Sequence, residues 1–188
     1  MPNPQGTINH HIPYFTQLVA EVPGDFAEFG VFEGGIIDKM IPFQGTRQIW
    51  AFDTFEGIPE EGYIPELDGN DPPGKWKPSI LTLPYLEGLL NVRVVKGLFQ
   101  NTLASAGVGT LALVHMDCDN YMSYKTVLDW LPAHLTTGSV VVFDDYNGCA
   151  GAKKAVNEFC DQHTKILRSD KVPHLIWQSK DVWAQVTI

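Results

Sequence analysis

Residues 24–35 read Gly-Asp-Phe-Ala-Glu-Phe-Gly-Val-Phe-Glu-Gly-Gly, a strand-length stretch at 25–29 that breaks into a turn carrying Gly30, Gly34 and Gly35. The order predicts a strand, a glycine turn and then a short helix with Ile36, Ile37, Met40 and Ile41 on its apolar positions. Upstream, Ile12, Phe15, Leu18, Val19 and Val22 recur at spacings of three and four, which predicts a helix ended by Pro23-Gly24 with Pro13 confined to its first turn. Downstream, 48–52 forms a second strand stopping at Asp53, 92–96 a third, 111–116 a fourth and 140–143 a fifth. Helices are expected around 80–89, over 121–135 with Val127, Leu128, Leu131 and Leu135 inward, and over 150–163. The tail alternates like a strand at 175–177 and 182–184. Strands four and five are nearly all apolar, as strands covered on both faces must be, so the fold class is α/β with a mostly parallel sheet.

Composition narrows the function. The 188 residues are 44% apolar and 19% charged, which suits one domain over 1–188 with a full core. No stretch approaches the roughly 20 apolar residues of a membrane helix, and the start, MPNPQGTINHH, lacks the charged and apolar regions of a signal peptide. A cytoplasmic protein with no membrane partner is the expectation. A net charge of −9 opposes the phosphate backbone, so nucleic acid is not expected as a partner. Three cysteines, Cys118, Cys149 and Cys160, without C-x-x-C spacing suggest reduced thiols rather than a disulfide framework or a zinc site.

In open α/β sheets ligands sit beyond the carboxyl ends of the strands. The residues there are Glu28 to Gly35 after strand one, Asp53 after strand two, Lys96-Gly97 after strand three, Asp117-Cys118-Asp119 after strand four and Asp144-Asp145 after strand five. Glycines in the first turn let a ligand reach backbone N–H groups, and Asp53 stands where a carboxylate can accept from both ribose hydroxyls. Together they indicate a nucleoside cofactor. The spacing is not G-x-G-x-x-G, and Glu33 would repel a pyrophosphate, so a cationic adenosyl cofactor fits better than NAD; a plain strand-to-helix turn is the bland alternative. Asp117, Asp119, Asp144 and Asp145 gather like charges, which a divalent cation such as Mg²⁺ would neutralise. The bland alternative is that Asp119 and Asp145 cap the following helices. His115, two residues before Asp117, is either a buried histidine or part of the pocket wall, and His10-His11 read as solvated. Residues 54–78, with four glycines, five prolines and no period, are long enough to read as a lid, in which Trp76 could cover a ligand. No G-x-S-x-G elbow or Walker loop occurs.

Four segments resemble the macrocin O-methyltransferase (TylF-like) family of S-adenosylmethionine-dependent enzymes. They are 24–35, Asp53-Thr54-Phe55-Glu56-Gly57-Ile58-Pro59, 95–103 around Lys96-Gly97-Leu98-Phe99, and 117–123 with 138–146 and 151–156. The resemblance implies a Rossmann-like class I methyltransferase fold, a seven-stranded sheet with helices on both faces and the last strand antiparallel. It implies S-adenosylmethionine held by Glu28, Gly30, Glu33, Gly34, Gly35, Asp53, Thr54, Phe55, Gly97, Phe99 and Asp117. It also implies Mg²⁺ on Asp117, Asp144 and Asp145, activating a hydroxyl of a small polyhydroxylated acceptor, with Asp117 or Asp119 as base. The family usually carries a basic residue where Glu33 stands and a small hydroxyl residue where Ile36 stands, and longer members have an N-terminal helical region over the acceptor that this chain mostly lacks.

The expected activity is therefore O-methyl transfer to a small-molecule acceptor, with a homodimer the one assembly entertained. The alternatives are a metal-independent methyltransferase of the same fold, a non-catalytic adenosyl-cofactor-binding module, and an NAD oxidoreductase, the last disfavoured by turn spacing and by the lack of a Tyr-x-x-x-Lys pair.

Overall fold

The computed structural model describes residues 11–163, 172–178 and 182–184. Its centre is β4 (Leu111–Met116), in which every residue is buried. Seven strands form one sheet in the order β3-β2-β1-β4-β5-β6-β7, with β1 Asp25–Phe29, β2 Ile49–Asp53, β3 Val92–Lys96, β5 Leu135–Phe143, β6 His174–Gln178 and β7 Val182–Ala184. The first five run parallel, in a register that sets Glu28 beside both Ala51 and His115, and His115 beside Val142. Parallel neighbours demand crossover connections, and these place helices on both faces. The α1 (Ile12–Leu18), α2 (Gly35–Met40) and α4 (Thr82–Glu87) helices cover the side bearing Phe26, Leu113 and Val142. The α6 (Tyr121–Trp130) and α7 (Ala150–His163) helices cover the side bearing Phe29, Val114 and Phe143. Two single turns, α3 (Pro65–Asp68) and α5 (Phe99–Thr102), complete the set of α-helices among the described residues. None of these helices is long and apolar enough to cross a membrane.

Several boundaries move for identifiable reasons. The α1 helix stops at Leu18, which is exposed, and the chain beyond it is fastened by Arg47 rather than by helical periodicity. That guanidinium donates to the carbonyls of Val19, Ala20, Val22 and Gly24 and lies over the Phe26 ring. The α6 helix ends at Trp130 because Pro132 has no N–H to continue it; a 3₁₀ turn follows, and Leu135 opens β5 instead of closing the helix. The α4 helix is shorter than its apolar run, with Ile80 and Leu81 exposed ahead of it. The antiparallel strand is the sixth rather than the last: β6 runs against β5, and β7 turns back against β6. Only residues 179–181 separate β6 from β7, too few for the crossover that parallel pairing would need.

The 54–78 segment is tied into the fold rather than draped over it. Asp68, buried, accepts from Tyr121 N at 2.9 Å and Ile64 N at 3.0 Å, which fastens the segment to the first turn of α6. A Cβ at Gly151, on α7, would come within 2.1 Å of an Asp68 carboxylate oxygen, so the contact needs glycine there. Backbone bonds Ile58 N to Lys75 O and Gly74 N to Ile58 O, both 2.8 Å, close the segment on itself.

The tightest backbone approach is at Gly30, φ +85°, where a Cβ would sit 1.8 Å from the Asp117 carbonyl oxygen. By contrast, a Cβ at Gly35, in the first turn of α2, meets nothing within 4 Å. Gly30→Ala should therefore lose more than about 2 kcal/mol of stability, combining left-handed backbone strain with a backbone collision. Gly35→Ala should be neutral or gain up to about 1 kcal/mol. Chemical denaturation of both variants checks the pair, and equal midpoints would refute the close approach of β1 and β4.

Candidate active site

Beyond the carboxyl ends of β1 to β5 the sheet opens into a cleft of about 580 Å³. Its walls include Gly30, Asp53, Thr54, Gly97, Phe99, Asp117, Asp119 and Asp144, all expected from the sequence. Trp76 and Glu61 reach it from the 54–78 segment, so that segment forms part of the wall. Phe32, Gln100, Met122 and Ser123 also line it, and sequence reading did not single them out. Phe32 and Trp76 meet edge to face with centroids 5.6 Å apart, joining the glycine turn to the 54–78 segment.

Asp53 organises the cofactor half. Its Oδ2 accepts from Val31 N at 2.7 Å and Phe32 N at 3.1 Å, and its Oδ1 accepts from Phe55 N at 2.7 Å. The Thr54 hydroxyl stands 3.4 Å from the same Oδ1. The expected ribose ligand is thus also the residue that folds the turn around itself.

The remaining expected cofactor residues lie elsewhere. Glu33 does not face the cleft; its carboxylate accepts from Ser79 N at 2.9 Å and Thr82 Oγ1 at 2.8 Å, which ties the glycine turn to the start of α4. This accounts for an acidic residue where the family usually has a basic one: here the position serves packing between the turn and α4. Gly34 and Gly35 shape the entry to α2, and Phe55 is buried in the core on the α2 side; none of the three lines the cleft. Glu28 is buried beneath it.

At the other end the carboxylates converge. One oxygen each from Asp117, Asp119 and Asp145 lies within 4.8 Å of the others. Asp119 takes a left-handed backbone, φ +60°, and its N–H donates to Asp145 Oδ2 at 2.9 Å. The helix-cap alternative fails for Asp119, because Asn120 caps α6 by accepting from Ser123 N at 2.8 Å. Asp144 faces the cleft but turns its Oδ1 toward His115 Nε2, 3.5 Å away, so the gathered trio contains Asp119 where the resemblance implied Asp144. Burial and mutual repulsion hold protons on this group. Asp119 is pushed up to about 9 by burial and then by Asp145. Asp145 rises to about 7 by burial and then by Asp144. Asp117 is raised well above the usual carboxylate range by burial and then by Asp145. Hard oxygen donors crowded to the point of protonation fit a divalent cation, which would replace the protons.

The pairing of Asp71 with Cys149 escaped sequence reading because nothing local marks it. Asp71, buried on the 54–78 segment, accepts from Trp76 Nε1 at 2.7 Å, and its other oxygen faces Cys149 Sγ at 3.7 Å. Asp71 and Cys149 also lie within reach of Asp119. Beneath the cleft, His115 is fully buried between Glu28 and Asp144.

Known proteins match this architecture. Among curated relatives, a tetracenomycin 4'-O-methyltransferase of Streptomyces olivaceus, "8-demethyl-8-(2,3-dimethoxy-alpha-L-rhamnosyl)-tetracenomycin-C 4'-O-methyltransferase", is 33% identical over 146 residues, 70% of this chain and 56% of the relative. The demethyldecarbamoylnovobiocin O-methyltransferase of Streptomyces niveus is 32% identical over 153 residues, 73% of this chain and 58% of the relative. The chain thus spans little more than half the length of these relatives. Among solved structures, the O-methyltransferase NovP superposes with a TM-score of 0.69 at 27% identity, covering 87% of this chain and 78% of the other. The calicheamicin methyltransferase CalS11 superposes with a TM-score of 0.75 at 23% identity, covering 91% and 79%, a likeness of fold. The family model described as macrocin-O-methyltransferase (TylF) matches residues 14–172, and the chain belongs to that family.

Proposed function

We propose that this protein is an S-adenosylmethionine-dependent O-methyltransferase that uses a divalent cation and acts on a hydroxyl of a small sugar-like or natural-product acceptor. The observation that carries the reading is the meeting, in one cleft, of the Asp53-organised glycine turn with the Asp117, Asp119 and Asp144 carboxylates. The names of the relatives support the acceptor class: one is an O-methyltransferase of a rhamnosyl-tetracenomycin, the other of demethyldecarbamoylnovobiocin.

The cofactor would supply an electrophilic methyl group on a sulfonium. For it, Gly30 leaves backbone room at the end of β1, Asp53 offers carboxylate oxygens, and Gly97, Leu98 and Phe99 form the wall beyond β3. A divalent cation on Asp117, Asp144 and Asp145 would supply the positive charge that lowers the pKa of an acceptor hydroxyl. Asp119 stands within 4.8 Å of Asp117 and Asp145, and so is placed to take the hydroxyl proton at its own carboxylate as the oxygen attacks the methyl. The lid segment, pinned by Asp68, presents Ile58, Pro59 and Trp76 to the cleft and would exclude water from the reacting centre. A metal-independent methyltransferase is the second reading, favoured by one observation: the raised carboxylates can relieve their repulsion by holding protons instead.

Asp119→Asn should lower methyl transfer from S-adenosylmethionine to a panel of deoxysugar glycosides by at least about 100-fold while S-adenosylhomocysteine affinity stays within about threefold. Mass spectrometry of products and calorimetry of binding measure the two. Unimpaired transfer by the variant would remove Asp119 as base, and full turnover of the natural sequence in excess chelator would select the metal-independent reading.

The raised carboxyls also give cation binding a pH dependence with a fixed sign. The proton held up to about 7 on Asp145 must leave when a cation takes its place, and the one held up to about 9 on neighbouring Asp119 leaves as the cation's charge lowers its pKa, which frees Asp119 to act as base. Mg²⁺ affinity should therefore rise with pH across that interval, with net proton release at neutral pH. Calorimetry in buffers of different ionisation enthalpy measures the release, and binding with no proton release would show that Asp145 is not a ligand.

A further inference from the structure

We propose that His115 is a positioning residue, a buried brace that sets the Asp144 carboxylate on the cleft wall while Glu28 holds it from the strand behind. The inference rests on the reading above, in which Asp144 is a cation ligand. His115 interrupts β4, whose other five residues are apolar, and it has no solvent exposure. Its Nδ1 lies 3.5 Å from Glu28 Oε1 and its Nε2 3.5 Å from Asp144 Oδ1. Neither ring nitrogen has a hydrogen-bond partner among the described residues, and Glu28 Oε2 has none either. A sheet built for stability alone would fill this point with another Val or Leu, because buried polar atoms outside good hydrogen-bond geometry are costly.

The register explains what the arrangement achieves. Glu28 on β1 and Val142 on β5 are the lateral neighbours of His115, and Asp144 follows Val142 by two residues. The planar ring, with a nitrogen on each side, thus spans from the strand that carries the glycine turn to the strand end that carries Asp144. Asp117, Asp119 and Asp145 are drawn together without such a brace, whereas Asp144 is held apart from them. A carboxylate steered from outside loses less freedom when it binds an ion, which is how outer partners of ligands raise cation affinity.

The test uses the full chain with Mg²⁺ and S-adenosylhomocysteine, each followed by calorimetry, on the natural sequence, His115→Leu and His115→Gln. The leucine keeps the burial and removes both contacts; the glutamine keeps a donor that can reach Asp144. His115→Leu should weaken Mg²⁺ binding by 10- to 100-fold with S-adenosylhomocysteine affinity within twofold, and His115→Gln should recover most of the loss. Should the leucine variant fail to fold, His115→Asn, polar but too short to reach Asp144, replaces it with the same expectation. Unchanged Mg²⁺ affinity in a folded leucine or asparagine variant would overturn the brace alone. Parallel loss of both ligands would overturn it in favour of a purely structural histidine. If the natural sequence binds no Mg²⁺, the cation reading falls and the brace with it.

Discussion

Crowded negative charge at one edge of a parallel sheet is the constraint around which the rest of this structure is arranged. Parallel strands all present their carboxyl ends to the same side, so Asp53, Asp117 and Asp144 meet by topology and not by local sequence. The close pairing of β1 with β4, permitted by the missing side chain at Gly30, brings the glycine turn against the Asp117 backbone. Moving any of these strands by a residue would reverse which side chains reach the cleft. Burial first, and the crowding after it, raises the carboxyls of Asp117, Asp119 and Asp145.

The 54–78 segment answers a different requirement. A long stretch rich in glycine and proline cannot bury enough apolar surface to order itself, and here buried carboxylates do the ordering. Asp68 joins it to α6, Asp71 holds Trp76, and Glu56 pairs with Lys77 and Lys96 at its exposed margin. The exposed pairs add little, since water screens them. The two buried acceptors are the anchors, and they bring Trp76 against Phe32 over the cleft.

How far the sequence could be read follows from what kind of signal each element carries. β1, β3, β4 and α7 match the residues expected from apolar patterning, because buried strands and an amphipathic helix write their packing directly into local order. The acidic strand ends were legible for the same reason: once the strands are known, the residues that follow them are known, whereas Trp76 stood out as a large aromatic in a long segment without period. What could not be read depends on long-range partners. Glu33 sits inside a cofactor motif, yet its partners Ser79 and Thr82 are more than 40 residues away, so its structural role has no local signature. Arg47 and Asp68 are likewise defined by backbone groups that only the finished fold supplies. Pro132 was visible, but where the helix would yield to β5 depended on the pairing of Leu135 with Leu111.

Backbone strain around the cleft shows that the acidic residues serve the fold as well as ligands. Phe32, Phe55, Trp76, Asn91 and Asp119 are the described non-glycine residues with left-handed backbones, and all but Asn91 line or adjoin the cleft. Such conformations cost on the order of 1 kcal/mol or more each unless their surroundings impose them. In three cases the imposing group is a strand-end carboxylate: Asp53 accepts from Phe32 N and Phe55 N, and Asp145 accepts from Asp119 N. A carboxylate has about four acceptor directions, and Asp53 already receives Val31, Phe32 and Phe55 with Thr54 nearby. A ribose would have to share those directions, so cofactor entry and the shape of the turn are competing demands on one side chain. Removing Asp53 would then release strain as well as lose a ligand contact. For that reason affinity lost by an alanine variant overstates what the carboxylate gives the cofactor directly.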